Sequence, residues 1–173
     1  MSCPPSIVTK PWSPAPAPAS AATLSGSRST PVVLVVGFDG SEPSERALDG
    51  AAKLLADRSG WIEIVYVAHS PATAPIAPVV MGELAQSFDA IARKLRDELS
   101  DRLSGVAPLW HFRRRDGVVG HELIVVADEL ALQNPDATVV LVVGGSSHKI
   151  HRFLGSVASN LERVDRFPVI VVP

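Results

Sequence analysis

From residue 31 onward the sequence alternates between two hydrophobic periods. Val32-Val33-Leu34-Val35-Val36 is an unbroken aliphatic run, the pattern of a strand covered on both faces. Asp39-Gly40-Ser41 turns the chain, with Ser41 as a helix N-cap and Pro43 tolerated in the first helical turn. Ala47, Leu48, Ala51, Leu54 and Leu55 recur at helical spacing and predict a helix with one apolar stripe, ended by Gly60 as its C-terminal glycine. Ile62, Ile64, Val65 and Val67 predict a second strand, followed by a proline-punctuated loop from Ser70 to Pro78. The longest predicted helix carries Leu84, Phe88, Ile91, Leu95, Leu99 and Leu103 as a regular stripe and closes at Gly105.

The second half repeats this order. Leu109 to Arg113 predicts a third strand, with Trp110 and Phe112 on its core-facing side and Arg113-Arg114-Arg115 emerging at a solvated sheet end. His121 to Leu132 predicts a helix through Leu123, Ile124, Ala127 and Leu130. Thr138 to Val143 is a fourth strand, apolar after its first residue. Gly155 to about Asp165 is a short helix with Val157, Leu161 and Val164 inward, and Pro168 to Val172 closes the pattern as a fifth strand. Strands interleaved with helices imply right-handed crossovers and a doubly wound parallel sheet, the α/β class in three layers. In such sheets ligands sit at the carboxyl ends of the strands. That rule brings two segments to one site: Gly37 to Ser41 after strand one, and Gly144 to Ser156 after strand four.

Residues 1–30 break the pattern. They hold Pro4, Pro5, Pro11, Pro14, Pro16 and Pro18, no acidic residue, and only Lys10 and Arg28 as basic ones. Such a segment buries too little apolar surface to offset its ordering entropy, so it reads as a disordered Pro/Ala/Ser-rich tail before a single domain at 31–173. It lacks the apolar stretch of a secretory signal. The 173-residue chain has 16 Lys and Arg against 18 Asp and Glu, a net charge of −2, and this balance argues against a nucleic-acid binder. The lone Cys3 excludes an internal disulfide and fits a reducing cytoplasm. No run reaches the roughly 18 apolar residues of a membrane span.

Two loops then carry the candidate chemistry. Asp39 follows an apolar strand and offers a carboxylate either to a ribose hydroxyl or base amine, or to the start of the helix after it. The second loop, Gly144 to Ser156, is rich in Gly and Ser with His148, Lys149, His151 and Arg152, and it ends where Gly155-Ser156 opens a helix. Small residues and a helix N-terminus favour phosphate, while a solvated polar loop accounts for the same composition. His148 and His151 lack the nearby carboxylate or thiolate a metal site needs. There is no G-x-x-x-x-G-K-[ST], no G-x-G-x-x-G after the first strand, no G-x-S-x-G and no H-E-x-x-H. No residue stands out as a general base, so an enzyme is not the default reading.

Two motifs together resemble the universal stress protein family. Val35-Val36-Gly37-Phe38-Asp39-Gly40-Ser41, continued by Ser44 and Ala47-Leu48, is similar to its opening signature. Val142-Val143-Gly144, Gly155-Ser156-Val157 and Pro168-Val169-Ile170-Val171-Val172 are similar to its closing one. The resemblance covers residues 31–173 and implies a flavodoxin-like strand order, 3-2-1-4-5, with a homodimer through the C-terminal strand. It also implies a stress-response regulator that binds ATP or another adenine nucleotide. On that basis the nucleotide-binding residues are Gly37, Asp39, Val67, Val143, Gly144, Ser147, Gly155, Ser156 and Val157. The family pattern is G-x-x-G, nine residues, then G-[ST]; here Ser147 replaces the second glycine, and only His148 to Leu154 precede Gly155. Two missing residues shorten the loop by up to ~7 Å of reach. The alternative is therefore a dimeric interaction module of the same fold with a decayed nucleotide site.

Overall fold

The computed structural model describes residues 30–69, 78–104, 109–145 and 165–173, together with Val157 and Leu161. Its elements run β1 (Val32–Gly37), α1 (Glu42–Leu55), β2 (Gly60–Ala68), α2 (Pro78–Arg102), β3 (Leu109–Asp116), α3 (Val119–Gln133), β4 (Thr138–Gly144) and β5 (Val169–Val172). Val157 and Leu161 are helical, and Leu161 is buried. The disordered tail expected over 1–30 falls outside the described residues except for Thr30, as do Gly105, Val164 and residues 70–77 of the loop predicted from Ser70 to Pro78, while Pro78 itself opens α2.

The five strands form one sheet in the order β3-β2-β1-β4-β5, every pair parallel. This is the doubly wound parallel sheet expected from the sequence pattern, in the order that the family resemblance implies. β1 lies at the centre, with Val32 opposite both Gly60 of β2 and Thr138 of β4. Because both of its faces are covered, β1 tolerates no polar residue, and Val33, Leu34, Val35 and Val36 are all buried. Alternate residues then feed two separate cores. Leu34 and Val36 pack with Leu48, Leu55, Leu95 and Leu99 under α1 and α2. Val33 and Val35 pack with Leu123, Val126, Leu130 and Leu161 on the α3 side. Trp110 and Phe112 of β3 do share the first core, as their alternation predicts.

Four sequence expectations need correction. Leu54 and Ile91, assigned to the buried stripes of α1 and α2, are 42% and 44% exposed, because each sits at the margin of its helix's apolar arc. Gly60 does not end α1, which stops at Leu55; it opens β2 with φ +149° where β1 begins. A Cβ there would lie 1.9 Å from the Val32 carbonyl oxygen, so the glycine serves strand approach and not helix termination. β5 starts at Val169, one residue after Pro168, which has no N–H for a ladder.

The fourth correction concerns the arginines. Arg113, Arg114 and Arg115 do not emerge from the sheet but continue β3, in register with Val65, Tyr66 and Val67. The strand alternation sends the guanidinium groups to opposite faces. Arg113 donates to Glu63 Oε1 at 2.9 Å and to Glu129 Oε2 at 2.6 Å, and Arg115 also pairs with Glu129 of α3. Arg114 pairs on the other side with Asp89 of α2 and donates to Asp116 Oδ1 at 2.6 Å. The long stems cover the sheet edge while each charge finds a carboxylate, and this lets a cationic run occupy a strand. Glu63 needs that partner, since it is only 3% exposed within the sheet. Among the described residues no helix is long and apolar enough to cross a membrane.

Candidate functional site

The site begins where β1 leaves the core. Phe38 is buried, and its N–H donates to the Val65 carbonyl at 2.9 Å, keeping the chain beside β2 for one residue past the strand. The chain then turns at Gly40, whose φ of +79° suits glycine. Asp39 Oδ1 accepts the Ser41 N–H at 3.0 Å, closing a side-chain turn. The Asp39 N–H points to Ser44 Oγ at 3.4 Å, and the Ser44 hydroxyl donates to the Ser41 carbonyl at 2.8 Å. Ser41 is the N-cap of α1, as the sequence predicts, but its side chain makes no capping bond to the helix. Asp39 and Ser44 organise that end instead.

This arrangement sets the charge of Asp39. Partial burial pushes its pKa upward, but hydrogen bonds from the Ser41 side chain, the Ser41 N–H, Ser44 and its own N–H outweigh that and lower it below the ordinary carboxylate value. Asp39 is therefore ionised at neutral pH. The same carboxylate shapes the turn before α1 and lines an open cleft.

The cleft holds about 270 Å³ at the carboxyl ends of the central strands. Its floor is Gly37, Phe38 and Asp39 from the end of β1, with Pro43 and Ser44 from the start of α1. β2 contributes Val65, Val67 and the following His69; α3 contributes Val119 and Leu123; β4 contributes Val143 and Gly144; and Val157 completes the wall. Apolar walls with a few fixed polar groups are the usual make-up of a small-ligand site, although the volume lies just under the common range of roughly 300–1,000 Å³.

Of the residues assigned from sequence, Gly37, Asp39, Val67, Val143, Gly144 and Val157 line this cleft together. Ser147, Gly155 and Ser156 lie outside the described residues, as do His148 and His151. Gly144 has a packing reason of its own. A Cβ on it would stand 2.2 Å from the Pro43 carbonyl oxygen, so the first turn of α1 rests directly on the end of β4. Sequence reading missed Pro43, Ser44, Val65, His69, Val119 and Leu123 as cleft residues. Alternation from Val67 was enough to find Val65, but nothing in the sequence brings α3 or His69 over β1. His69 is tied down by a bond between its Nδ1 and the Gly117 carbonyl, 3.1 Å apart. Gly117 N–H in turn donates to the Ala68 carbonyl at 3.1 Å, so the ends of β2 and β3 are stitched together beside the cleft. Among the described residues no group of three His, Cys, Asp or Glu side chains could hold a metal ion.

A family model described as the universal stress protein family matches residues 33–173. The chain belongs to the universal stress protein family. The match spans the whole sheet from β1 to β5, and solved structures agree with it. This universal stress protein is similar to universal stress protein UspA from Lactobacillus plantarum, with 23% identity, a TM-score of 0.64, and coverage of 82% of this chain and 97% of that one. It is similar to a universal stress protein family member from Burkholderia pseudomallei at 26% identity and a TM-score of 0.62, covering 86% of this chain and 98% of that one. It is also similar, at 28% identity and a TM-score of 0.56, to a universal stress protein solved in complex with cAMP, covering 84% of this chain and 99% of that one. No curated protein sequence matches the chain significantly.

Proposed function

We propose that this universal stress protein is a stress-response regulator that binds an adenine nucleotide in the cleft between β1, β2, β4 and α3. The observation that carries this reading is Asp39, an ionised carboxylate on the floor of an otherwise largely apolar cleft. A fixed acceptor of that kind suits a ribose hydroxyl, and the valines around it suit the flat face of a base. The similar universal stress protein solved with cAMP supports an adenine nucleotide as the ligand class. ATP is the member of that class that the motif resemblance favours.

Isothermal titration of the full chain with ATP, AMP and cAMP tests the reading. Binding of at least one is expected, and Asp39→Ala should weaken it by about 1–3 kcal/mol through loss of a charge-assisted hydrogen bond. Asp39→Asn keeps an acceptor for the Ser41 N–H and so separates the turn from the ligand. If none of the three nucleotides binds, the site has decayed, and the chain is an interaction module on the same fold. The loop between Ser147 and Gly155, two residues short of the family pattern, is the feature that would then account for it.

A further inference from the structure

The walls of the cleft differ in what they offer a ligand. The residues contributed by β2 and α3 are Val65, Val67, Val119 and Leu123, all aliphatic, with His69 as the one polar side chain among them. The His69 ring is held by a hydrogen bond, its Nδ1 lying 3.1 Å from the Gly117 carbonyl. A carbonyl oxygen only accepts, so Nδ1 must carry the proton in that bond. In the neutral ring Nε2 is then an acceptor. The apolar wall thus ends in a single side-chain group that takes a hydrogen bond and cannot give one.

We infer that His69 is a specificity-determining residue that selects a base bearing an exocyclic amine. The inference rests on the nucleotide reading above and adds how the base edge is read. An aromatic base laid against Val65 and Val67, with its sugar toward Asp39, directs its edge to the β2 end of the cleft. An amine there donates to Nε2. A carbonyl at the same position sets lone pair against lone pair, an arrangement that sites use to reject near-identical ligands. The sequence carried no sign of this, because His69 follows β2 as an isolated histidine and acquires its tautomer only through Gly117 on the neighbouring strand's exit.

ATP and ITP differ at the purine six-position, amine against carbonyl, and are the probes. Both are titrated into the full chain and into His69→Ala at pH 8. The parent should prefer ATP by about three- to tenfold, the worth of one hydrogen bond. His69→Ala should bring the ratio to about one through a loss of ATP affinity, with an unchanged thermal midpoint showing that the fold is intact. A purely structural histidine would alter both affinities together and leave the ratio alone. Equal binding of ATP and ITP by the parent, or a preference that survives His69→Ala while Asp39→Ala still weakens both ligands, overturns the role of His69 and leaves the nucleotide reading standing. A parent that binds neither overturns both.

Discussion

Replacing Gly144 by alanine tests whether this glycine belongs to the scaffold or to the ligand. Its backbone is not in the left-handed region, so alanine meets no conformational penalty there. The obstacle is steric. The added Cβ would stand 2.2 Å from the Pro43 carbonyl oxygen, 2.4 Å from its carbonyl carbon and 2.7 Å from its Cβ. Neither side gives easily. Gly144 is held in β4 opposite Val172 of β5, and Pro43 is held by the Ser44–Ser41 hydrogen bond beside it and by buried Ala47 and Leu48 one turn on. Overpacking of this kind costs about 1–3 kcal/mol, and contact with backbone on a fixed helix start places Gly144→Ala at the upper end. For a domain near 140 residues that lowers the thermal midpoint by about 5–15 °C. Gly37→Ala is the control on the same cleft. Its Cβ would come closest to Leu123 Cδ1 at 3.2 Å, a side-chain end and not backbone, with Val143 Cγ1 at an ordinary 3.7 Å, and the expected cost is under about 1 kcal/mol. Thermal and urea melts followed by circular dichroism read both variants. An unshifted Gly144→Ala, or a Gly37→Ala that loses as much, refutes the packing account.

Two further outcomes follow from the sheet. Arg113→Ala leaves Glu63, among the described residues, with only His111, 3.5 Å from its Oε2, and should cost about 2–4 kcal/mol in urea melts, because stranding a buried charge is worse than losing a pair; joint replacement of Glu63 and Arg113 by Leu and Met should recover most of that loss, and a double variant weaker than Arg113→Ala refutes it. We also propose that the chain pairs through β5 as a homodimer, so that sedimentation at micromolar concentration should give a dimer that Ile170→Lys with Val172→Lys disrupts; a monomeric parent sinks the idea.

Strands covered on both faces were the most readable part of this chain. β1, and β4 after its exposed first residue Thr138, appear as aliphatic runs because their positions are buried or partly buried. β3 was cut short in the reading because three arginines resemble a solvated end. Their carboxylate partners, Glu63, Asp89 and Glu129, come from three other elements and cannot be foreseen from spacing. Gly60 was misplaced for a related reason: a glycine after a helix reads as a helix terminator, whereas the need it meets is a close approach to Val32. For the site, the rule that ligands gather at strand carboxyl ends was enough to bring Asp39, Val67 and Gly144 together. It could not supply Leu123, whose helical stripe marks it as a core residue and says nothing of the cleft it also borders.

The two margins of the sheet differ in kind. β3 carries alternating charges tied down on both faces, while β5 is Val-Ile-Val-Val, half-buried and without a charge. Among the described residues each has a single strand neighbour. A charged margin resists strand addition and an aliphatic one invites it. A sheet with one sealed margin and one open margin can be lengthened only once. Two copies joined open side to open side present only sealed sides outward, so association in this direction stops at a pair. Making β3 aliphatic as well, with β5 left as it is, would remove the stop and allow each copy to recruit the next into a filament.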